Sequence, residues 1–254
     1  MSAFELSVLS SLTKVFPDEA LEAAEVKRGS ALRGEVFSFQ IAYRAEQLTK
    51  SIRVKVNSDL EDLITVRTVG LVPSELPTYH DHDDRILRAA PGLYPDPLMP
   101  LDADGAVAPP GQWRSVWITV DLQEHTKPGW HDIEIVFTKP DGEALGRTRF
   151  ALDVIPAVLP EQRLIFTEWF HADCLAAHYQ VDVFSEEHWA LIERYVAEAA
   201  AHGMNMILTP LFTPPLDTAV GGERPTVQLV GVALNDDGGY AFDFGRLERF
   251  VNMC

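Results

Sequence analysis

DIEIVFTKPDGEALGRTRFALDVI, residues 132–155, decides the architecture of the first half of the chain. Apolar and polar side chains alternate on both sides of the central Pro140-Asp141-Gly142. Proline fixes φ in a turn and glycine accepts a positive φ, so the segment predicts a β-hairpin. The alternating apolar positions, which define its buried face, are Ile133, Ile135, Phe137, Phe150, Leu152 and Val154.

Three further stretches before residue 156 alternate in the same way: 35–44, 51–58 and 114–122. In the first of them, for example, Phe37 and Phe39 share one face while Ser38 takes the other. A period of two with one polar face is typical of antiparallel sheet that is wet on one side. Several such strands joined by turns predict an N-terminal antiparallel β-sandwich domain over residues 1–158.

One long stretch, residues 76–113, interrupts this alternation and is rich in proline. Proline disfavours both helix interiors and central strands, so we predict an irregular loop here. Its aromatic and apolar side chains, among them Tyr94 and Met99, favour a packed loop over a mobile one.

The pattern changes after Ile155-Pro156. Residues 163–170 and 204–212 are too apolar for strands covered on one face, and they predict parallel strands. A helix is predicted over 185–203, with Ser185 as N-cap and Trp189, Ile192, Tyr195, Val196 and Ala199 buried.

A second helix is predicted from residue 243 onward, capped by Asp243. Strand, helix, strand, helix is a parallel α/β unit. A closed barrel of this kind needs roughly 200 residues or more. Residues 159–254 therefore predict the first strand–helix units of an incomplete (β/α)8 TIM barrel, which forms a truncated catalytic domain. Its exposed apolar surface is expected to promote homo-oligomer formation.

The formal net charge of −17 argues against a nucleic acid partner and against docking on an anionic membrane. Two cysteines, Cys174 and Cys254, cannot make a disulfide framework. The N-terminal residues lack the pattern of a signal peptide, and no apolar run approaches the ~20 residues that span a bilayer. The expected compartment is the cytoplasm.

Polar side chains follow both predicted barrel strands. The first strand has Trp169 near its end and is followed by His171 and Asp173, and the second is followed by Thr213 and Asp217. In barrels of this type the loops after the strands converge over one mouth, where chemistry takes place. A tryptophan ring stacks on the C–H faces of a sugar while carboxylate and imidazole bind its hydroxyls. These five residues are our candidates for substrate binding.

Simpler interpretations exist for several of these residues. Trp169 could belong to the core, and His171 and Asp173 could make only local hydrogen bonds. Cys174 has no neighbour in sequence that would activate it, so a small buried hydrophobe is expected.

Two groups of residues also resemble metal ligands. His171, Asp173 and His178 lack any recognised ligand spacing. The acids and histidines of residues 80–84 are typical of a solvated turn, with Arg85 and Arg88 available to neutralise them. We predict neither a metal nor a cofactor.

Several stretches in succession, from about residue 25 onward, resemble glycoside hydrolase family 123 and its bacterial relatives. They are GEVFSFQIAYRA (34–45), PGLYPDPLMPL (91–101), WFHADCLA (169–176), NMILTPLFTPPLDT (205–218) and GGERPTVQLV (221–230). The resemblance implies a β-sandwich followed by a (β/α)8 catalytic barrel. It also implies exo-acting removal of terminal β-linked N-acetylgalactosamine by a retaining mechanism, assisted by the sugar's own acetamido group.

In the family an adjacent Asp-Glu pair serves this mechanism, and it sits on a later barrel strand. That places the catalytic residues of this protein beyond Cys254, so we expect the chain alone to be inactive. Two other classes remain open: a non-catalytic carbohydrate-binding or assembly module, and a metal-dependent hydrolase built on residues 80–84 and 171–178.

Overall fold

The computed structural model describes residues 4–101, 103–212, 220–222 and 225–254. The chain divides into two compact units, Met1–Pro160 and Glu161–Cys254.

Strands dominate the first unit, and its described residues form two sheets of five strands each. One sheet has the order β1-β3-β8-β5-β6 and is antiparallel throughout. The other has the order β2-β10-β9-β4-β7, in which only β2 and β10 pair in parallel. The strands are β1 (Phe4–Ser10), β2 (Arg28–Arg33), β3 (Val36–Ala45), β4 (Thr49–Asn57), β5 (Ile64–Ser74), β6 (Gly92–Pro100), β7 (Ala106–Ala108), β8 (Arg114–Asp121), β9 (Gly129–Thr138) and β10 (Ala144–Val158), with a short 3₁₀ helix at Glu61–Leu63. The prediction of antiparallel sheets is confirmed.

Strands β9 and β10 form the hairpin expected from residues 132–155, with Ile133 opposite Phe150. Its turn is closed by two backbone hydrogen bonds, Lys139 N–H to Glu143 O at 2.8 Å and Gly142 N–H to Lys139 O at 3.0 Å. Gly142 has φ +91°, a conformation that side chains with a Cβ rarely adopt. The turn residues therefore act as their chemistry predicts.

The inward-facing residues of both sheets share one apolar core. Alternate positions of β3, β8, β9 and β10 point into it, because successive side chains of a strand face opposite sides. Its largest members include Phe39, Tyr43, Phe137 and Phe150.

The prediction of a wholly irregular loop over residues 76–113 is wrong. Strands β6 and β7 lie inside this stretch, and each is the last strand of its sheet. Proline is tolerated at a sheet edge because the missing N–H would face away from the neighbouring strand. Pro95 and Pro97 therefore exclude a central position for β6 but allow an edge position.

Helices define the second unit: α1 (Ala172–Tyr179), α2 (Glu186–Ala201) and α3 (Gly245–Met253). The predicted cap of α2 is confirmed, since the Ser185 hydroxyl accepts the His188 N–H at 3.2 Å. Asp243 accepts the Gly245 N–H at 2.9 Å, and the helix begins after Phe244, not at Asp243 as predicted. An antiparallel hairpin of β11 (Gly231–Leu234) and β12 (Tyr240–Asp243) precedes α3.

The two predicted parallel strands at 163–170 and 204–212 are not strands in this structure. The two segments do lie side by side, since the N–H groups of Asn205 and Met206 each reach Phe166 O at 3.2 Å. The Asn205 side chain makes the other contacts, accepting from Phe166 N–H at 2.8 Å and donating to Leu164 O at 3.0 Å. The Asn205 side chain thus bonds to backbone groups that would pair with a neighbouring strand in a regular β-ladder. Parallel strands are normally covered on both faces, whereas Leu164 is 79% exposed here.

The predicted buried stripe of α2 is only partly correct, since Val196 and Ala199 are half-buried. Tyr195 is exposed, and its hydroxyl lies 2.9 Å from the hydroxyl of Tyr179 on α1. Trp189 and Ile192 are buried as predicted. A tyrosine satisfies its hydroxyl more easily at the margin of a core than inside it.

Candidate active site

The start of α1 carries three of the five predicted site residues. His171 is the N-cap residue and has an extended backbone conformation, with φ −109° and ψ 91°. Cys174 N–H donates to the His171 carbonyl at 3.1 Å, which begins the helical turn. Asp173 lies in the first turn and Trp169 lies two residues before the cap. The chain leading into α1 therefore places ring, imidazole and carboxylate close together.

These residues line a cavity of about 330 Å³. One wall consists of residues 169–173 and the opposite wall of residues 208–212, with Val227 completing the lining. A hydrogen bond from the Leu229 N–H to Pro210 O, at 3.2 Å, attaches the 208–212 segment to the segment that follows Val227. The residues that line the cavity are mostly apolar with a few polar groups, which is typical of small-molecule sites.

Trp169 is 62% exposed, which rules out the interpretation that it belongs to the apolar core of this unit. Its ring lies 5.8 Å from that of His171 between centroids, with the two planes at 33°. Asp173 is buried, so its carboxylate is shielded from solvent at the base of the first turn. An open aromatic face beside an imidazole and a carboxylate can bind a sugar through stacking and hydroxyl hydrogen bonds.

Two of the predicted site residues, Thr213 and Asp217, lie outside the described residues. Cys174 is exposed, so our expectation of a buried thiol is wrong. Sequence reasoning overlooked Phe212, a second exposed aromatic side chain in the cavity lining, and Val227. The apolar run that ends GGERPTVQLV was the signal that could have located Val227.

The residues at 80–84, which suggested metal ligands, do not have the arrangement of a metal site. Residues 80–84 form a local turn, in which Arg85 N–H donates to Asp83 Oδ1 at 2.8 Å. Arg88 pairs with Asp18 and Glu19, not with the acids of that turn as expected. Across the described ranges, no group of three or more His, Cys, Asp or Glu residues is placed to hold a metal ion.

No helix within the described parts of the chain has the length and apolar character needed to cross a bilayer.

The cavity residues at 169–173, 208–212 and 227 all fall in one segment with a recognisable family signature. Residues 169–254 match the catalytic domain of glycoside hydrolase family 123. The resemblance predicted from the sequence is thereby confirmed. No curated protein sequence matches the chain.

The fold of the whole chain is similar to that of a family 123 glycoside hydrolase from Clostridium perfringens, described in a study of glycolipid glycan hydrolysis. The TM-score is 0.74 at 13% identity, and the match covers 98% of this chain and 45% of that chain. This chain therefore spans less than half the length of that enzyme.

Two other solved structures are similar over a smaller part of the chain. AvmM, which catalyses macrocyclization in alchivemycin A biosynthesis, matches 65% of this chain and 94% of its own, with a TM-score of 0.35 at 6% identity. The N-terminal domain of PorA matches 60% of this chain and 99% of its own, with a TM-score of 0.28 at 7% identity.

Proposed function

We propose that this chain is the N-terminal part of a glycoside hydrolase and that the cavity at Trp169 is part of its sugar pocket. In this proposal, residues 1–158 form a β-sandwich domain and residues 159–254 supply the first units of a TIM-barrel catalytic domain. One observation carries the proposal: the open ring of Trp169 lies beside His171 and Asp173, at a cavity inside the segment that matches family 123.

The proposed substrate is a β-linked N-acetylhexosamine glycoside, N-acetylgalactosamine in the first instance. The family resemblance supports this choice. A strongly acidic chain also suits a neutral ligand better than an anionic one. The indole of Trp169 would stack on the C–H face of the sugar, and His171, Asp173, Thr213 and Asp217 would bind its polar groups.

The proposed reaction is a retaining, substrate-assisted hydrolysis. The acetamido oxygen of the sugar attacks the anomeric carbon as the glycosidic bond breaks, and a general acid protonates the leaving oxygen. Water then opens the cyclic intermediate, with the same group acting as base. Two neighbouring carboxylates with separated pKa values would suit these roles. The resemblance places that Asp-Glu pair beyond Cys254, so this chain would contribute binding groups only.

The direct test is binding of N-acetylgalactosamine by isothermal titration calorimetry. Trp169→Ala should weaken binding by about 1–3 kcal/mol, the value of stacking and burying one indole. Trp130→Ala is a matched control, because Trp130 is 63% exposed on β9 of the first unit and should not affect binding. Equal affinity of the Trp169 variant and the parent chain would contradict the proposal, as would a parent chain that binds no sugar.

A second test concerns turnover. The chain alone should not hydrolyse nitrophenyl N-acetyl-β-galactosaminide, whereas a longer chain that includes an Asp-Glu pair on a later strand should do so. Measurable hydrolysis by residues 1–254 would show that the catalytic groups lie within them.

A further inference from the structure

His188 is completely buried in the second unit, in the first turn of α2. Its backbone N–H donates to the hydroxyl of the N-cap residue Ser185, and its ring makes separate hydrogen bonds. A buried polar group is costly unless its hydrogen-bonding atoms are paired. Both ring nitrogens of His188 have partners, and the two partners lie on different segments of the unit.

The identity of these partners determines the form of the ring. Phe184 N–H donates to Nδ1 at 2.9 Å, so Nδ1 carries no proton. Nε2 lies 2.8 Å from the Ala172 carbonyl, which can only accept, so Nε2 carries the proton. The ring is therefore the neutral Nε2–H tautomer. An imidazolium would turn the Nδ1 hydrogen towards the Phe184 N–H and lose one of the two bonds.

The carbonyl that His188 binds belongs to the proposed sugar pocket. Ala172 is the first residue of α1 and lies between His171 and Asp173. The His171 side chain makes no capping bond to the helix. A helix of eight residues is marginal on its own, so its placement depends on tertiary contacts. The bond from His188 is such a contact at the end of α1 that lines the cavity.

The second hydrogen bond of the His188 ring, from the Phe184 N–H, fixes the imidazole at the start of α2. Phe184 has φ +62°, an unusual conformation for a residue with a large side chain. Its N–H is fixed by His188 Nδ1, and its ring stacks on Trp189 with centroids 5.3 Å apart. The imidazole is thus anchored at the start of α2 and extends from there to α1.

We propose that His188 is a positioning residue for the pocket: its neutral imidazole ties the first turn of α1 to α2 and so sets the orientation of His171 and Asp173. The part of this statement that concerns sugar affinity rests on the proposed function. The part that concerns the order of α1 does not, and it can be measured without any sugar.

Two variants separate the two bonds. Asparagine can place its Oδ1 near the position of Nδ1, so His188→Asn keeps an acceptor for Phe184 N–H and loses the donor to Ala172. Glutamine can place its Nε2 near that of the histidine, so His188→Gln keeps the donor to Ala172. Exposed Cys174, in the first turn of α1, takes a nitroxide spin label in a Cys254→Ser background.

We expect the label to become more mobile in His188→Asn than in the parent chain, while His188→Gln stays close to the parent. Affinity for N-acetylgalactosamine should fall by about 5-fold in His188→Asn, the effect of losing one hydrogen bond of typical strength. The affinity of His188→Gln should stay within about two-fold of the parent, because the hydrogen bond to the Ala172 carbonyl is kept. Rescue by glutamine separates loss of this bond from a general loss of packing.

Equal label mobility in His188→Asn and the parent would overturn the proposal, and so would a glutamine variant as mobile as the asparagine variant. If neither variant folds, nitrogen-15 NMR of the parent decides, because the proposal requires a bare Nδ1 and a protonated Nε2 at neutral pH. An Nδ1–H tautomer or an imidazolium there would disprove it. A parent chain that binds no sugar would refute the proposed function, while the label comparison would still decide the role of His188.

Discussion

The rings of Phe39 and Phe150 stack face to face, with centroids 4.1 Å apart and planes at 12°. Phe39 belongs to β3 and Phe150 to β10, strands of different sheets, and both side chains are buried. This pair is therefore a contact through which the two sheets of the first unit share one core. Stacked aromatic pairs add to the free energy of burial because their dispersion contacts are dense.

Phe150→Ala should destabilise the first unit by about 3–5 kcal/mol, because it removes a ring and leaves a cavity. The measurement is guanidinium-induced unfolding followed by circular dichroism. Trp130→Ala in the same sheet is the control, since an exposed site should change stability by no more than about 0.5 kcal/mol. A Phe150 variant as stable as the Trp130 variant would show that the two sheets do not depend on this contact.

Tyr43 should titrate apart from the other tyrosines. Burial raises the pKa of Tyr43 to about 12, and its hydroxyl donates to Val107 O at 3.2 Å. The neutral phenol is thus favoured in the folded state, and this contribution to stability is complete below the ordinary tyrosine pKa of about 10. It is lost as the pH rises from there through the folded value of about 12.

The check is the ultraviolet absorbance of tyrosinate during alkaline titration. The chain has 6 tyrosines, and we expect one of them to ionise only near the onset of unfolding. Tyr43→Phe should remove that late step. If the late step persists in this variant, the assignment is wrong.

The contact between Arg88 and Asp18 should make stability depend on acid pH. The Arg88 guanidinium donates to both Asp18 oxygens, at 2.7 and 2.9 Å, and lies over the rings of Phe16 and Tyr94. These hydrogen bonds lower the pKa of Asp18 below its ordinary value. The stabilisation is therefore present above the ordinary aspartate pKa of about 4 and is lost as the pH falls through the lowered value.

Asp18→Asn should accordingly lower the melting temperature at neutral pH, and the difference from the parent should disappear at strongly acid pH. Thermal melts across this range measure it. Glu25→Gln, which removes the exposed pair of Glu25 with Lys27, should have little effect at any pH. A difference between the Asp18 variant and the parent that is constant with pH would exclude a charge effect.

Ser185→Ala should destabilise α2 by about 1 kcal/mol, because the His188 N–H loses its capping acceptor. The helical signal of the second unit on heating gives the measurement. Ser185→Asp restores an acceptor and should recover most of the loss. Similar melting of the alanine and aspartate variants would mean that the cap contributes little.

Much of the first unit could be predicted because strand alternation and turn chemistry are local properties. Gly142 and the apolar positions of β9 and β10 show this directly. The edge strand β6 was missed because its prolines hide the alternation. In the second unit the Ser185 cap was predictable, whereas the segments around Phe166 and Asn205 were assigned to strands that the structure does not contain. Whether an apolar segment becomes a strand depends on neighbours that are distant in sequence.

The candidate site was predicted only in part, for a related reason. Trp169, His171 and Asp173 are close in sequence, so their types and spacing alone pointed to a binding site. Phe212 lines the cavity together with residues 169–173, and His188 bonds to Ala172. Both contacts join residues that are not neighbours in the sequence.

By itself, the sequence determined which residues face inward along β3, β4, β8, β9 and β10, where the hairpin of β9 and β10 turns, and where α2 begins. All three follow from neighbouring side chains and backbone preferences. Only the tertiary structure decided that Phe39 meets Phe150, that residues 169–173 face residues 208–212 across a cavity, and that His188 carries its proton on Nε2. Each of these depends on which distant groups approach within contact or hydrogen-bonding distance, and that is settled when the whole chain packs.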